Sequence, residues 1–572
     1  MYNREPMLRR ARAAPAAPAL PWWATPRGAA VIVALAALAA FARALANRFT
    51  YDEGLVLIGA QRFLQSGSFG TLLDKSYFGA TLEGTWRPFC TLTYMLDAMV
   101  SFQPAMFKAS SLAWHVIAAW LLMAFVRRLL PEGRRRWAIV AGLLFALHPI
   151  TAETVDNASF REDSLVTVFA LATLILALDR RPLLALVCYA LGLLSKESAV
   201  MAPALLALLR LGRFDRETPR AWGPAQAPAP AGRGLALGRL AVELGPFALL
   251  TVAYLAVRFG PMKTPVAYAR YPGGTFGATL IGLPAIWAHD LRLLAWPWPL
   301  CADYTGYFPF GAQPWGPVAL AAAGVLAYLG LIVLCVRRGE RVVALGLAWF
   351  LLTLLPVSNL LPIPIPAAER FLYLPLCGIA LAAAAAWGRL MERYQAPADR
   401  RRVAAGGFGY LAALVLVLNL RHGDWHDDRR LWQATVAVNP RSCGAQSAVG
   451  GGLLSQGMAS GDPATLRAAV AKEELALRLC SDDSDPFRAA FAYTRLGAAR
   501  ALLDERAAAR VALQRATVLH PRYALPVVWL GYLAFQEGDQ AVAAMLLKKA
   551  IIDLGPPDAT VAEVARYYVD KI

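Results

Sequence analysis

The chain has 572 residues, of which 58% are hydrophobic and 17% are charged, and its formal net charge is +18. A soluble protein typically carries about 25% charged residues, so the composition excludes an ordinary soluble domain. The basic residues lie in short stretches between apolar runs, a pattern typical of cytoplasmic membrane loops rather than of a nucleic-acid-binding patch, and we expect no nucleic-acid partner.

Apolar runs near the ~20 residues that span a bilayer recur along the chain, and such spans have to be helices. Residues 1–28, with five arginines against one acid, are predicted to be a basic cytoplasmic tail. The first apolar run, Gly28 to Ala46, has no clear small-residue cleavage site and is interpreted as a retained anchor. If successive apolar runs cross the membrane in alternating directions, about eleven crossings are predicted in a transmembrane domain of residues 29–420. The predicted spans are the first run and residues 106–126, 137–150, 164–178, 182–194, 198–210, 240–257, 317–336, 342–357, 371–388 and 403–420.

Four segments between these runs have a different character. Residues 48–86 are predicted to form a long outer loop, and Arg87–Phe102 a short or interfacial helix. Residues 213–239 are rich in Pro, Ala, Gly and Arg, which indicates a flexible inner loop. Residues 279–300 contain three tryptophans and are predicted to lie along the outer interface, where Trp is favoured.

After Leu420 the pattern changes, and residues 421–572 are predicted to form an extracytoplasmic tetratricopeptide-repeat domain. Leu496-Gly497 recurs as Leu530-Gly531, a spacing of 34 residues that is typical of this repeat. With a looser unit at 443–480, the pattern predicts three helical hairpins stacked as a short solenoid; a generic helical bundle is the alternative. The expected fold class is therefore all-α, a polytopic membrane helical bundle followed by an α-solenoid.

The seven cysteines form no CxxC pair and show no metal-ligand spacing, so no metal site is predicted. Cys443 and Cys480 fall in the polar C-terminal part. They pair if that part faces an oxidising compartment and stay free if it does not, and the sequence leaves both outcomes open.

Asp52-Glu53 stands directly after the first apolar run, where a helix leaves the bilayer. An ionised group costs roughly 2.5–3.5 kcal/mol at the centre of a membrane, but water reaches it at the exit. A carboxylate there is well placed to act as a general base on a polar acceptor. Both acids are therefore candidate catalytic residues; the alternative is that they only cap the helix that begins near Gly54.

Four cations are predicted at the outer ends of the spans, where the positive-inside pattern makes them unexpected. Arginine binds phosphate through two bonds at once, so a lipid-linked phosphate is an economical reason for them. The alternatives are an interfacial anchor for the first arginine and an internal ion pair with Glu197 for the lysine. The candidate donor-phosphate residues are Arg87, Arg161, Lys196 and Arg370.

Other polar side chains at the same edge are predicted to line the pocket. His148 and Glu153 could suggest a pair of metal ligands, but two residues without a third are a weak metal signal. A hydrogen-bonded network that shapes the pocket is preferred. The candidate pocket residues are His148, Glu153, Asp163, Glu197, Glu369 and Tyr373.

Taken in order, these segments resemble the family of transmembrane and tetratricopeptide-repeat protein O-mannosyltransferases, within the GT-C class of polyprenyl-phosphate-dependent glycosyltransferases. Thr151 departs from the family pattern, which often has a second His there, and the Ala- and Arg-rich composition suggests a bacterial relative. The motifs that carry the resemblance are Asp52-Glu53, Thr85-Trp86-Arg87-Pro88, Leu92-Thr93-Tyr94, His115, His148-Pro149 with Glu153, Arg161 and Asp163, Lys196-Glu197, Trp296-Pro297 to Asp303-Tyr304, Ala368-Glu369-Arg370 to Tyr373-Leu374-Pro375, and Arg421 to Leu431.

The resemblance implies an inverting transferase without a metal. Asp52 would accept the proton of an acceptor hydroxyl, and the oxygen would attack the anomeric carbon of a polyprenyl-phosphate sugar such as mannose. Arg161, Lys196 and Arg370 would stabilise the leaving phosphate. The repeats would bind a protein or peptide acceptor through its Ser/Thr residues. The donor is a substrate, no firm cofactor is implied, and the expected location is a bacterial inner membrane with a cytoplasmic N-terminus and periplasmic repeats.

Two functions without catalysis stay open. A membrane scaffold would use the repeats to recruit a partner, and it predicts that Asp52→Ala leaves function intact. A transporter of lipid-linked sugars predicts internal symmetry between the two halves of the membrane domain. Within the enzymatic interpretation, a lipid or glycan acceptor is the alternative to a protein.

Overall fold

The computed structural model is helical throughout the residues it describes, with no strand among them. The N-terminal tail as far as residue 20 and most of the predicted inner loop 213–239 lie outside those residues. The described residues are 21–66, 69–74, 77–78, 85–212, 214, 233–262, 270–308, 310, 315–363, 365–480 and 485–552.

The membrane domain is built from apolar α-helices joined by turns and short 3₁₀ segments. In chain order they are α1 (Pro26–Phe41), α2 (Glu53–Ser66), α3 (Pro88–Val100), α4 (Pro104–Leu129), α5 (Ala138–Leu147), α6 (Ala152–Asp156), α7 (Arg161–Leu178), α8 (Pro182–Leu193), α9 (Met201–Leu211), α10 (Arg233–Phe259), α11 (Phe276–Ala295), α12 (Trp315–Arg337), α13 (Arg341–Leu354), α14 (Tyr373–Arg393) and α15 (Pro397–Asp424).

Six helices among the described residues are long and apolar enough to cross a membrane, and a pair bent by 51° would make a seventh. Shorter apolar helices, such as α8 and the segment Arg341–Val357, coincide with further predicted runs. The prediction of about eleven crossings therefore stays a prediction. The six long helical segments are Pro26–Ala46, Pro104–Leu129, Gly238–Phe259, Val318–Arg337, Glu369–Arg393 and Pro397–Asp424.

Close helix contacts in the membrane core depend on small residues. Gly346 of α13 and Gly378 of α14 approach so closely that a Cβ atom on either would overlap the carbonyl oxygen of the other. Because lipid tails are as apolar as Leu, van der Waals contact of this kind is a main source of helix association in a membrane. These two helices make one of the most extensive contacts in the described chain.

The predicted outer loop 48–86 is wrong as a continuous loop, because α2 occupies much of it. Leu57, Ala60 and Phe63 are buried in the core. Their spacing of three residues is the helical period that marks one buried face. By contrast, the short helix expected within Arg87–Phe102 is present as α3.

The C-terminal part contains the three expected hairpins, which confirms the solenoid interpretation. After α16 (Asp428–Val438) come α17 (Cys443–Ser460) with α18 (Pro463–Leu479), α19 (Pro486–Leu502) with α20 (Arg506–Leu519), and α21 (Ala524–Gln536) with α22 (Gln540–Ile552).

The 34-residue spacing has a packing cause. A Cβ atom at Gly497 would lie 2.5 Å from Leu513, and one at Gly531 would lie 2.8 Å from Leu547. The second pair repeats the first 34 residues later. Glycine at each site lets the two helices of a hairpin touch, so the repeated glycine is a requirement of each hairpin's geometry.

A disulfide joins Cys443 to Cys480, whose Cα atoms are 5.8 Å apart. It connects the start of the first hairpin to its end. The pairing that the sequence left open is therefore formed in the structure.

The end of α15 and the repeats that follow it meet the rest of the membrane domain through buried polar contacts. Arg421 binds both carboxylate oxygens of Glu369, at 3.0 and 3.1 Å, and His422 lies 2.6 Å from Asp156. Further along, Arg488 of α19 contacts Asp303 at 2.8 Å. Buried ions of this kind tolerate no loss of a partner, so the contacts define how the two parts meet.

Candidate active site

Asp52 lies in the turn between the first membrane helix and α2. The preceding Tyr51 has a φ of 62°, a left-handed conformation that is uncommon for a residue with a side chain. Strain of this kind is found most often at functional sites. Asp52 is half-buried, and its Oδ1 accepts a 2.7 Å hydrogen bond from Ser159 Oγ.

Glu53, unlike the adjacent Asp52, is enclosed by hydrogen-bond and ion-pair partners in the core. It is fully buried, pairs with Lys108 at 3.3 Å, and accepts hydrogen bonds from the backbone N–H groups of Thr50 at 2.8 Å and Ala158 at 2.7 Å. These contacts tie the start of α2 to Lys108 of α4 and to Ala158. Neither N–H group belongs to α2, so Glu53 links neighbouring segments rather than capping that helix, and Asp52 is retained as the candidate base.

Two of the predicted cations meet at one acidic edge of α7. Lys196 lies 2.5 Å from Asp163 and 3.7 Å from Glu162, and Arg87 lies 2.8 Å from the same Glu162. Both predicted phosphate ligands are thus paired inside the protein. They form one charged cluster together with the predicted pocket residue Asp163.

The solvent-accessible side of this cluster is a carboxylate between two arginines. Glu197 contacts Arg87 through one oxygen and Arg258 through the other, each at 3.3 Å. Its side chain is 38% exposed. These distances exceed the 2.7–2.9 Å of a strong charge-assisted hydrogen bond, so Glu197 is held loosely.

Arg370 connects this cluster to the candidate base. Its guanidinium pairs with Glu153 and lies 3.9 Å over the ring of Phe160. Its backbone N–H also donates to Glu153, at 2.7 Å. The same Phe160 ring lies 5.6 Å from that of Tyr51, the residue directly before Asp52, so Arg370 is the cation nearest in the chain of contacts to the candidate base.

Arg161 lies apart from the predicted phosphate ligands. Its guanidinium is fully buried and pairs with Asp97 at 2.6 Å. The same group donates to Ser111 at 3.1 Å, Thr93 at 3.0 Å and the carbonyl oxygen of Phe107 at 2.9 Å. These bonds tie α7 to α3 and α4, so the structure gives Arg161 a packing role and no access to a ligand.

Three of the predicted pocket residues also serve the core. His148 accepts from the N–H of Ile150 and contacts the carbonyl of Leu294, both at 3.2 Å. The hydroxyl of Tyr373 lies 2.6 Å from His115, and Glu369 is the partner of Arg421 described above. Glu153, Asp163 and Glu197, the other three, border the cations directly.

The electrostatics of the site favour a base beside an anion site. Burial raises the pKa of Asp52 above its usual range, although the Ser159 hydrogen bond and Arg370 oppose that shift. Burial also disfavours ionised Glu197, but Arg87, Arg258 and Lys196 outweigh it and lower its pKa. The position of the Glu197 carboxylate is therefore one where a negative charge is strongly stabilised.

Sequence reasoning missed two residues of this site. Arg258 directly follows the run 240–257 at the end that was predicted to be the outer one, so the argument applied to the other predicted outer cations would have found it. Ser159 had no comparable signal, because a serine in a loop forms many kinds of hydrogen bond. Only the fold brings it to Asp52.

The chain is a distant relative of proteins named protein O-mannosyl-transferases. It is 25% identical over 492 residues to Protein O-mannosyl-transferase TMTC4 of Mus musculus, across 76% of this chain and 65% of the relative. It is 24% identical over 508 residues to Tmtc1 of Drosophila melanogaster, across 73% of this chain and 58% of the relative. The chain thus spans less than two thirds of the length of these curated relatives.

Two further comparisons add nothing to this relationship. No family model matches the chain. A solved structure, the crystal structure of APC/C hetero-tetramer Cut9-Hcn1, aligns with 90% of this chain and 96% of its own at 12% identity. The TM-score is 0.23, too low to indicate a shared fold.

Proposed function

We propose that this multi-pass membrane protein is a glycosyltransferase that moves a sugar from a polyprenyl-phosphate carrier to a Ser or Thr hydroxyl of an acceptor protein. Mannose is the sugar that the names of the relatives favour. The observation that carries the proposal is the half-buried carboxylate of Asp52 beside a cluster of cations. The membrane helices let a lipid-borne donor approach that cluster from the bilayer.

The proposed reaction is a single displacement. Asp52 takes the proton of the acceptor hydroxyl, whose oxygen forms a bond to the anomeric carbon while the bond from that carbon to the phosphate oxygen breaks. The electron pair leaves with the polyprenyl phosphate, and the anomeric configuration inverts. Fixed cations stabilise the charge that develops on the leaving group and need no reorganisation to do so.

The cations assigned to the phosphate differ from the original prediction. Arg87, Lys196 and Arg370 are retained and Arg258 is added. Arg161 is removed because each of its three guanidinium nitrogens donates to a partner in the core. In the proposed complex, the phosphate takes the place of the Glu197 carboxylate between Arg87 and Arg258. The two arginines support this exchange, since the incoming phosphate keeps an anion in the position where Arg87 and Arg258 stabilise negative charge.

The proposed orientation puts the site and the repeats outside the cytoplasm. The basic tail stays inside by the positive-inside rule, and the Cys443–Cys480 disulfide favours an oxidising compartment for the repeats. A bacterial inner membrane and a GT-C arrangement are consistent with the composition and with the sequence motifs.

A donor assay tests the proposal. Purified protein in lipid is given labelled mannose as polyprenyl-phosphate mannose or as a nucleotide sugar, together with a Ser/Thr peptide. We expect label in the peptide only from the lipid donor, with the anomeric configuration inverted. Transfer only from the nucleotide sugar, or retention of configuration, would exclude this mechanism. No transfer from either donor would favour the scaffold or transporter alternatives.

A further inference from the structure

One side of α19 carries two arginines and two aromatic residues. At 3.6 residues per turn, Phe487, Arg488, Phe491 and Arg495 fall within an arc of about 100° on this helix. The arginines mark one edge of the arc and Phe487 marks the other. The helix therefore presents a mixed basic and aromatic face, and its orientation relative to the active site can be followed from the contacts of Arg488.

Arg488 fixes α19 to the membrane domain. It contacts Asp303 at 2.8 Å, and Asp303 also accepts a 2.9 Å hydrogen bond from Ser442 while its carbonyl accepts one from Asn439 at 2.9 Å. Gly444 makes room for the pair, since a Cβ atom there would lie 2.6 Å from Arg488 Nη1. The arc is thus held in a defined position next to the membrane domain.

The aromatic edge of the arc continues into the next repeat. The ring of Phe487 lies 4.8 Å from that of Phe491 and 5.1 Å from that of His520, and Phe491 lies 4.6 Å from Tyr523. Phe487 is 53% exposed. We call these four residues, Phe487, Phe491, His520 and Tyr523, the aromatic surface.

The basic edge of the arc leads back to the candidate base. Arg488 on this edge binds Asp303 at 2.8 Å, and the neighbouring Ala302 belongs to the cluster against which Tyr51 and Trp432 pack. Asp428 accepts a 2.8 Å hydrogen bond from the N–H of Tyr51, whose ring stacks on Trp432 at 5.1 Å. Tyr51 directly precedes Asp52, so a series of neighbouring side chains runs from the aromatic surface to the active site.

We propose that the aromatic surface binds an extended segment of the acceptor polypeptide and directs its Ser or Thr toward Asp52. This inference rests on the proposed function and adds the site of acceptor recognition. The exposed ring of Phe487, backed by the half-buried rings of Phe491, His520 and Tyr523, offers apolar area at a low cost in conformational entropy. Such a surface suits apolar side chains that flank the hydroxyl residue. Continuity with Tyr51 distinguishes this surface from a docking site for a second copy or for an unrelated protein.

Two acceptors of different length test the proposal. The long one is an unfolded Thr-containing peptide of about 20 residues, which extends at most about 70 Å, with apolar residues on one side of the threonine. The short one is a blocked tripeptide with the same threonine. The variants are Phe487→Ala and Phe487→Ala with Phe491→Ala; the matched controls are Val518→Ala and Met545→Ala, exposed at 66% and 60% on other helices of the repeats.

The measured quantity is the ratio of kcat/KM for the long acceptor to that for the short one. We expect it to fall by about tenfold or more in the double variant, as for loss of an aromatic binding anchor, and to be unchanged in the controls. An unchanged ratio in a folded Phe487→Ala variant would overturn the proposal. Because Phe487 is largely exposed, the single variant remains informative if the double variant does not fold.

A binding measurement separates this inference from the proposed function. Fluorescence anisotropy of the labelled long peptide reports binding whether or not transfer occurs. Transfer by the wild type with equal peptide binding by wild type and variants would reject the aromatic surface alone. Binding that depends on Phe487, without transfer from either donor, would reject the proposed function and keep the peptide site. Self-association that Phe487→Ala abolishes, without peptide binding, would assign the surface to a second copy of the chain and overturn the inference.

Discussion

Ser159 Oγ lies 2.7 Å from Asp52 Oδ1 and also contacts Asn157 Oδ1. The single hydroxyl proton can be donated to only one of these oxygens at a time. When the hydroxyl donates to Asp52 it stabilises the ionised acid, and when it donates to Asn157 its oxygen can accept a hydrogen bond from Asp52 once that acid is protonated. Ser159 is therefore placed to position the base in both of its states.

Ser159→Ala is expected to change the pH dependence of transfer. The Ser159 hydrogen bond lowers the pKa of Asp52 against the effect of burial, so its loss raises that pKa further. A general base has to be ionised, and the rate falls as pH drops through its pKa. The acid limb of the kcat/KM profile should move to higher pH, with kcat lower by about tenfold. Ser159→Thr, which keeps a hydroxyl, should restore the limb; an unmoved limb in Ser159→Ala would exclude this role.

Arg258 and Glu197 should have opposite effects on the donor. Arg258→Ala removes a phosphate ligand and is expected to raise the KM for the lipid donor by about tenfold or more. Glu197→Gln removes the charge that competes with the phosphate and should lower that KM. Initial rates at varied donor concentration measure both. Arg128→Ala, which breaks the separate pair with Asp179, is the control, and a higher KM in Glu197→Gln would contradict the exchange of carboxylate for phosphate.

Arg161 should affect stability rather than donor binding. Arg161→Met leaves Asp97 as an unpaired buried acid, and breaking a buried pair typically costs about 3–5 kcal/mol. Thermal unfolding in detergent should show a large decrease in Tm. Adding Asp97→Leu removes the unpaired charge and should recover much of the loss. If Arg161→Met had a normal Tm but bound the donor more weakly, Arg161 would have to be assigned to the phosphate site after all.

The docking of the repeats should weaken in acid. Burial disfavours ionised Asp303, but Arg488 and hydrogen bonds outweigh it and lower its pKa below the ordinary value of 3.8. An acid with a depressed pKa contributes its stability above the ordinary value, and that contribution is lost as pH falls below it. Asp303→Asn should therefore expose the junction at residues 421–442 to protease at neutral pH, whereas the wild type should resist until the pH falls below 3.8. Asp504→Asn, at an exposed position, should leave resistance unchanged.

The architecture could be predicted from the sequence because the spacing of apolar residues along a helix shows which face of that helix is buried. Gly497 and Gly531 revealed the repeat because each packs against the leucine at the equivalent position of its own hairpin, Leu513 and Leu547. The outer loop was misassigned, although Leu57, Ala60 and Phe63 carried the helical spacing, because the acids and aromatic residues around them dominate that segment.

The candidate site was harder to predict, since a sequence shows where charges occur and not which of them pair. Arg161 and Lys196 both stand directly before acidic residues at the ends of helices. Only the fold shows that Arg161 of α7 pairs with Asp97 of α3, whereas Lys196 belongs to the charged cluster that contains Glu162. In the same way, Glu53 and Asp52 are adjacent in sequence but face different surroundings, one among core donors and one beside Arg370.

The most direct test of the account is turnover by Asp52→Asn. In the assay with polyprenyl-phosphate mannose, the account predicts a kcat lower by about 10²–10⁴-fold, as for loss of a general base, with donor KM little changed. The control is Asp399→Asn, which changes a partly exposed acid in the first turn of α15. This variant should turn over like the wild type. Equal turnover by Asp52→Asn and wild type would contradict the assignment of Asp52 as the base.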